Sequence, residues 1–216
     1  MTKLSSAVAW AQQLLAERVG PGDFVIDGTA GNGYDTEFLA HQVLPGGLIW
    51  AVDVQAQAIA STASRLAADG LLPRVASLEQ VPAAELVLPG IQLLEGDHGA
   101  VGRCLQATAG LRPRLQAAVM NLGYLPGGDH AVVTQAASTI AFLEELAADL
   151  QIGGRLVVVV YVGHPGGQDE AQAVERWWSE RPAKAWDTAR LTFPNRRGEP
   201  PYVLAAEKKR EGGEAR

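Results

Sequence analysis

The stretch Val25-Ile26-Asp27-Gly28-Thr29-Ala30-Gly31-Asn32-Gly33 is followed, twenty positions beyond Gly33, by Asp53 in Ala51-Val52-Asp53-Val54. An apolar run that ends in an acid and a glycine turn, then a helix, then a second apolar run ending in an acid, is the plan of a nucleoside-cofactor site at the edge of a parallel sheet. Glycines 28, 31 and 33 allow a tight turn and close backbone approach to a ligand. The helix that follows offers unpaired N–H groups to an anion.

Outward from this stretch, strand and helix patterns alternate, which indicates a parallel sheet covered on both faces. Leu4 to Val19 carries Val8, Ala11, Leu14, Leu15 and Val19 at helical spacing and stops at Gly20-Pro21-Gly22. Strands are expected at Phe24 to Asp27, Leu48 to Val52, Ile91 to Leu94, Gln116 to Met120, Leu156 to Val162, Ala185 to Leu191 and Tyr202 to Glu207, seven in all. Helices are expected from Asp35 to about Gln42, Gln55 to Ala68, between Asp129 and Leu150, and Gln168 to Glu180, with Gly153-Gly154 closing the third. Gly70 to Gly90, with three prolines, reads as no single element.

A chain of 216 residues suits one domain, here residues 1–208, with a charged, glycine-containing tail at 209–216. Its 47% hydrophobic and 19% charged content is that of a globular protein, and no apolar run reaches the ~18 residues of a membrane span. Without a secretory leader pattern and with a single cysteine, Cys104, a reducing cytoplasm is the expected compartment. Cys104 reads as a buried structural thiol, and the four scattered histidines offer no metal pattern. The net charge of −6 argues against a polyanionic partner unless basic residues gather locally. They do so at Arg112 and Arg114, Arg181 and Lys184, Arg196 and Arg197, and Lys208 to Arg210, although any one cluster reads first as ordinary surface.

Polar residues at strand ends converge on one crevice in such a sheet: Asp27, Asn32, Asp35, Asp53, Gln55, Asp97, His98 and Asn121. Asp53 is placed to accept from a ribose diol. The glycine order, Gly28-x-x-Gly31-x-Gly33 after Asp27, differs from the G-x-G-x-x-G of a dinucleotide site. An acid at the turn repels a pyrophosphate and attracts an ammonium. S-adenosylmethionine carries both an ammonium and a ribose diol.

A second segment, Met120-Asn121-Leu122-Gly123-Tyr124-Leu125-Pro126-Gly127-Gly128-Asp129, is similar to the Asn-Pro-Pro-Tyr loop of amino-methylating transferases, with Leu122 and Gly123 in place of the prolines. Together with Asp27 to Thr36, Val52 to Gln55 and Tyr161-x-Gly163-His164-Pro165-Gly166-Gly167, it resembles the rRNA-methylase-like family. The resemblance runs from about Asp27 to Lys208.

This resemblance implies a Rossmann-like, doubly wound α/β sheet of seven mostly parallel strands, the class I methyltransferase fold. It also implies an S-adenosyl-L-methionine cofactor held by Asp27, Gly31, Asn32, Gly33, Asp35, Thr36, Asp53, Gln55, Asp97 and His98. Asn121, Tyr124 and His164 would act in catalysis: Asn121 and the next backbone carbonyl orient an amine, Tyr124 packs on the base, and His164 assists proton departure. The implied substrate is the aminomethyl group of 5-aminomethyl-2-thiouridine at the tRNA wobble position, so the anticodon region of tRNA is the expected partner; a homodimer is left open. Three alternatives stand beside it: a methyltransferase for another RNA or a small-molecule amine, a nicotinamide-dependent oxidoreductase, and a silent nucleotide- or RNA-binding module.

Overall fold

A computed structural model describes residues 6–123, 125, 127, 133–163 and 166–210. Among the described residues eight strands form one sheet: β1 (Phe24–Asp27), β2 (Leu48–Asp53), β3 (Arg74–Ser77), β4 (Gly90–Glu95), β5 (Leu115–Leu122), β6 (Leu150–Val160), β7 (Trp186–Leu191) and β8 (Tyr202–Lys208). Their order is β3-β4-β2-β1-β5-β6-β8-β7, and β8 alone runs antiparallel to its neighbours. The strand beyond the expected seven is β3, a four-residue edge strand paired with β4.

The order reverses at β1, which pairs with β2 on one side and β5 on the other. The crevice outside the carboxyl ends of β1 and β5 is therefore where such a sheet takes a ligand. Asp27 ends β1 there, and Asn121 lies one residue before the end of β5.

Alternation along the strands divides the core in two. Val25, Ile49, Ala51, Val157 and Val159 face α1 (Ala7–Ala16), α2 (Tyr34–Val43) and α3 (Ala56–Ala68). Phe24, Ile26, Trp50, Leu156 and Val158 face α5 (Val101–Ala107), α6 (Ala136–Asp149) and α7 (Gly167–Ser179). One further helical turn, α4 (Ala83–Leu86), accepts the Trp50 indole N–H at the Leu86 carbonyl, 3.0 Å away. Among the described residues no helix is long and apolar enough to cross a membrane.

Two expectations about the far half need correcting. Gly153-Gly154 does not close a helix: α6 ends at Asp149 and β6 begins at Leu150, so the pair lies inside the strand, where the register against β5 shifts. A Cβ on Gly154 would sit 2.8 Å from the Gln116 carbonyl oxygen, which makes this a bulge glycine. Nor are all the basic clusters surface. Arg112, its side chain 1% exposed, lies over the Phe24 ring and forks onto Asp149 at 2.9 and 3.2 Å. Lys208 is buried with its ammonium on the carbonyls of Ala147 and Leu150. Cys104 is buried as expected, near the Leu78 carbonyl.

Candidate active site

Asp27 ends β1 fully buried, and both of its oxygens are used. The Thr29 amide donates to Oδ1 at 3.1 Å and the Thr36 hydroxyl to Oδ2 at 2.7 Å, so the carboxylate latches the turn to the first residues of α2. Thr36 is itself fully buried, and its part in the site is this latch. Gly33 caps α2 with φ +82°, a left-handed conformation, and a Cβ there would lie 3.0 Å from Thr62 of α3. The glycine thus lets the turn press against the next helix.

Asp53 ends β2 and faces the same turn. Its Oδ2 accepts from the Gly31 amide and its Oδ1 from the Gln55 amide, each at 2.9 Å. A carboxylate oxygen has more than one acceptor direction, so both can take a further donor such as a diol hydroxyl. Asn32 turns aside: its Oδ1 accepts from Ser61 at 3.1 Å, and its carbonyl accepts from Arg65 at 2.7 Å. Arg65 also lies over the exposed Tyr34 ring, 3.6 Å from its centroid.

Asn121, in β5, points to the α1–α2 face. Its amide N–H donates to the Thr29 hydroxyl at 2.8 Å, and its Nδ2 donates to Asp35 Oδ2 at 2.7 Å. Asp35 Oδ1 accepts from Gln12 Nε2 of α1 at 2.8 Å. With its nitrogen committed, Asn121 keeps Oδ1 as an acceptor, and among the described residues no hydrogen bond reaches that atom. Tyr161, just past β6, senses the Asp35 charge, and burial is the larger cause of its raised pKa.

The third strand end holds Asp97 and His98. Asp97 is exposed and accepts from the Gly99 amide at 2.8 Å, capping a short 3-10 turn over His98–Ala100. The His98 ring packs edge-on against Phe142, 5.4 Å between centroids, and Phe142 is also what a Cβ on Gly28 would strike. His98 Nε2 is buried and makes no hydrogen bond among the described residues, an atom suited to a ligand's donor or acceptor. Burial lowers the His98 pKa, against a smaller opposite pull from Asp97.

Burial also raises the carboxyls at the turn. Asp27 is pushed from 3.8 to about 7 by burial first and by Asp35 second. Asp35 and Asp53 are raised by burial, against the hydrogen bonds that favour their charged forms. Three carboxyls gathered at these strand ends suit a cationic ligand such as an ammonium or a sulfonium.

Tyr124 and His164, expected in catalysis, lie outside the described residues, as does Asp129. The structure adds Glu170, which carries no signal in the sequence beyond that of a helix-start acid. Almost fully buried, it accepts from Thr139 and Thr134, each at 2.6 Å, while the Thr134 hydroxyl accepts from the Gly123 amide at 2.9 Å. Glu170 therefore ties α7 to α6 and to both ends of the segment after Asn121. Glu170→Ala should cost roughly 1–3 kcal/mol in a denaturant melt, because it orphans the buried Thr139 hydroxyl and the half-buried Thr134 hydroxyl.

Comparison with known proteins agrees with this geometry. A family model described as "Putative rRNA methylase" matches residues 49–207. The chain is 32% identical over 194 residues to an Arabidopsis thaliana "tRNA (mnm(5)s(2)U34)-methyltransferase, chloroplastic", covering 88% of this chain but 63% of that protein's length. Among solved structures it resembles a "putative rRNA-methylase" from Clostridium thermocellum (28% identity, TM-score 0.78, 94% of this chain and 97% of that one). It also resembles a "putative methyltransferase" from Streptococcus mutans in complex with SAH (28% identity, TM-score 0.74, 96% and 99%).

Proposed function

The chain belongs to the rRNA methylase family of class I S-adenosylmethionine-dependent methyltransferases, and on that premise we propose that it methylates the aminomethyl nitrogen of 5-aminomethyl-2-thiouridine at the tRNA wobble position. The observation that carries this reading is the Asn121 amide, whose nitrogen is bound by Asp35 and whose oxygen is left to accept. A neutral primary amine has two N–H donors and one lone pair. Asn121 Oδ1 and the neighbouring backbone carbonyl would take the two donors and so aim the lone pair.

The cofactor supplies an electrophilic methyl group on a sulfonium. Asp53 would hold its ribose hydroxyls, Gly31, Gly33 and Asn32 would border it, Gln55 and Asp97 would lie along the nucleoside, and His98 Nε2 would meet the base. Asp27, fully buried, would act on its positive charge through the turn rather than by contact. The substrate amine must shed its ammonium proton before attack, and His164 is the group assigned to assist that departure. Tyr124 would pack on the uracil.

The relative with a tRNA name supports an RNA substrate. The hairpin loop between β7 and β8 supplies Arg196 and Arg197, both exposed on the edge where β6 ends. Reversing both charges should weaken RNA binding and lower the slope of log affinity against log salt by roughly 0.7 for each phosphate no longer neutralised, with cofactor binding intact. An unchanged slope in a salt titration would remove these arginines from the RNA surface.

Substrate choice is tested with two anticodon stem-loops that differ only in whether the wobble uridine carries the aminomethyl group. Transfer to the aminomethyl RNA alone is expected. Equal transfer to both would place the acceptor elsewhere.

A further inference from the structure

We propose that Gln12, on α1, is a positioning residue for methyl transfer: through Asp35 it holds the Asn121 amide with Nδ2 bound and Oδ1 presented to the substrate amine. The inference rests on the proposed role of Asn121. Its basis is an unbroken line of bonds from Gln12 Nε2 to Asp35 at 2.8 Å and from Asn121 Nδ2 to Asp35 at 2.7 Å.

The chemistry of the two partners sets the direction. An ionised carboxylate only accepts, so both amides must turn their nitrogens to it. A protonated Asp35 could instead donate to Asn121 Oδ1, which would flip the amide and offer a donor where the amine needs an acceptor. The charged form must therefore be held, although burial opposes it, and the hydrogen bonds from Gln12 and Asn121 favour it. Asp27 on β1 and Tyr161 after β6 also face this carboxyl.

The helix that carries Gln12 is tied to the sheet. Arg155 of β6 bonds the Leu14 carbonyl, two residues from Gln12, at 2.7 Å, Glu17 at the end of α1 at 2.9 Å and Glu207 of β8 at 2.6 Å, which fastens α1 to the sheet. Gln12 itself reads in the sequence as an ordinary polar helix residue.

The test compares wild type, Gln12→Leu and Asn121→Ala on RNA carrying 5-aminomethyl-2-thiouridine, with a ¹³C carboxylate titration of Asp35 in the first two. Gln12→Leu should lower kcat by about tenfold, leave KM for S-adenosylmethionine within twofold, move the acid limb of the kcat profile to higher pH, and raise the Asp35 titration midpoint. Equal loss of kcat at every pH, or a raised KM for the cofactor with kcat unchanged, would overturn the role. So would an Asp35 midpoint that does not move, a result that requires no substrate. A wild type unable to methylate this RNA would sink the substrate assignment instead, and the carboxylate titration would still decide whether Gln12 holds Asp35.

Discussion

Methyl transfer by Asn121→Ala should fall by about a hundredfold or more, while the cofactor binds as it does in the wild type. Losing one preorganised hydrogen-bonding group at a reacting centre typically costs 10²–10³ in rate. In the proposed reaction Asn121 is such a group, and two bonds fix its place. Its backbone is pinned to Thr29 and its side-chain nitrogen to Asp35, so the oxygen cannot rotate away without breaking the second bond. Truncation leaves Asp35 with Gln12 alone, so isothermal titration with S-adenosylhomocysteine is needed beside the rate assay. Loss of binding together with activity would make Asn121 part of the cofactor site.

Asp27→Asn should stabilise the ligand-free protein at pH 8 and weaken the cofactor. The Asp27 carboxyl titrates at about 7 in the fold against 3.8 ordinarily, so between those values the folded state holds more protons than the unfolded chain. Stability from this group is then full below about pH 4, falls as pH rises to about 7, and stays low above it. A difference of that size corresponds to about 4 kcal/mol, an upper figure for a buried group. Asparagine keeps the geometry, because its oxygen accepts from the Thr29 amide and the Thr36 hydroxyl can rotate to accept from its nitrogen. The variant should match the wild type near pH 4 and exceed it increasingly toward pH 8. Its affinity for S-adenosylmethionine should drop roughly tenfold to a hundredfold, the scale of one buried charge acting at an effective dielectric near 20. Parallel stability curves for the two proteins would contradict this role of Asp27.

Much of this site is legible in the chain because strand ends and glycine turns are local. Asp27, Asp53 and Asn121 lie at or next to the ends of their strands, where the apolar runs stop, and the strand order then gathers them without further signals. What stays hidden is what depends on tertiary partners. Strand β3 has only four residues, half of them exposed, after Pro73, so no periodicity marks it. A bulge glycine and a helix-stopping glycine look alike in a sequence, which is why Gly153-Gly154 reads as the end of α6. Asn32 reads as a cofactor residue, and its side-chain oxygen accepts from Ser61 of α3, a contact that depends on how the turn packs against that helix. Thr36 reads as a cofactor residue, and in the structure its hydroxyl latches Asp27. Gln12 and Glu170 carry no local mark, since their meaning lies in residues 23 and 31 positions away.

Where the methyl group goes decides the proposed function. Wild-type protein is incubated with S-adenosylmethionine labelled at its methyl carbon and with tRNA carrying 5-aminomethyl-2-thiouridine, and the nucleosides are fragmented in a mass spectrometer. The label is expected on the aminomethyl nitrogen of the wobble nucleoside. Label on a ribose oxygen, on a ring atom or at another nucleotide, with the aminomethyl group unchanged, would contradict that function.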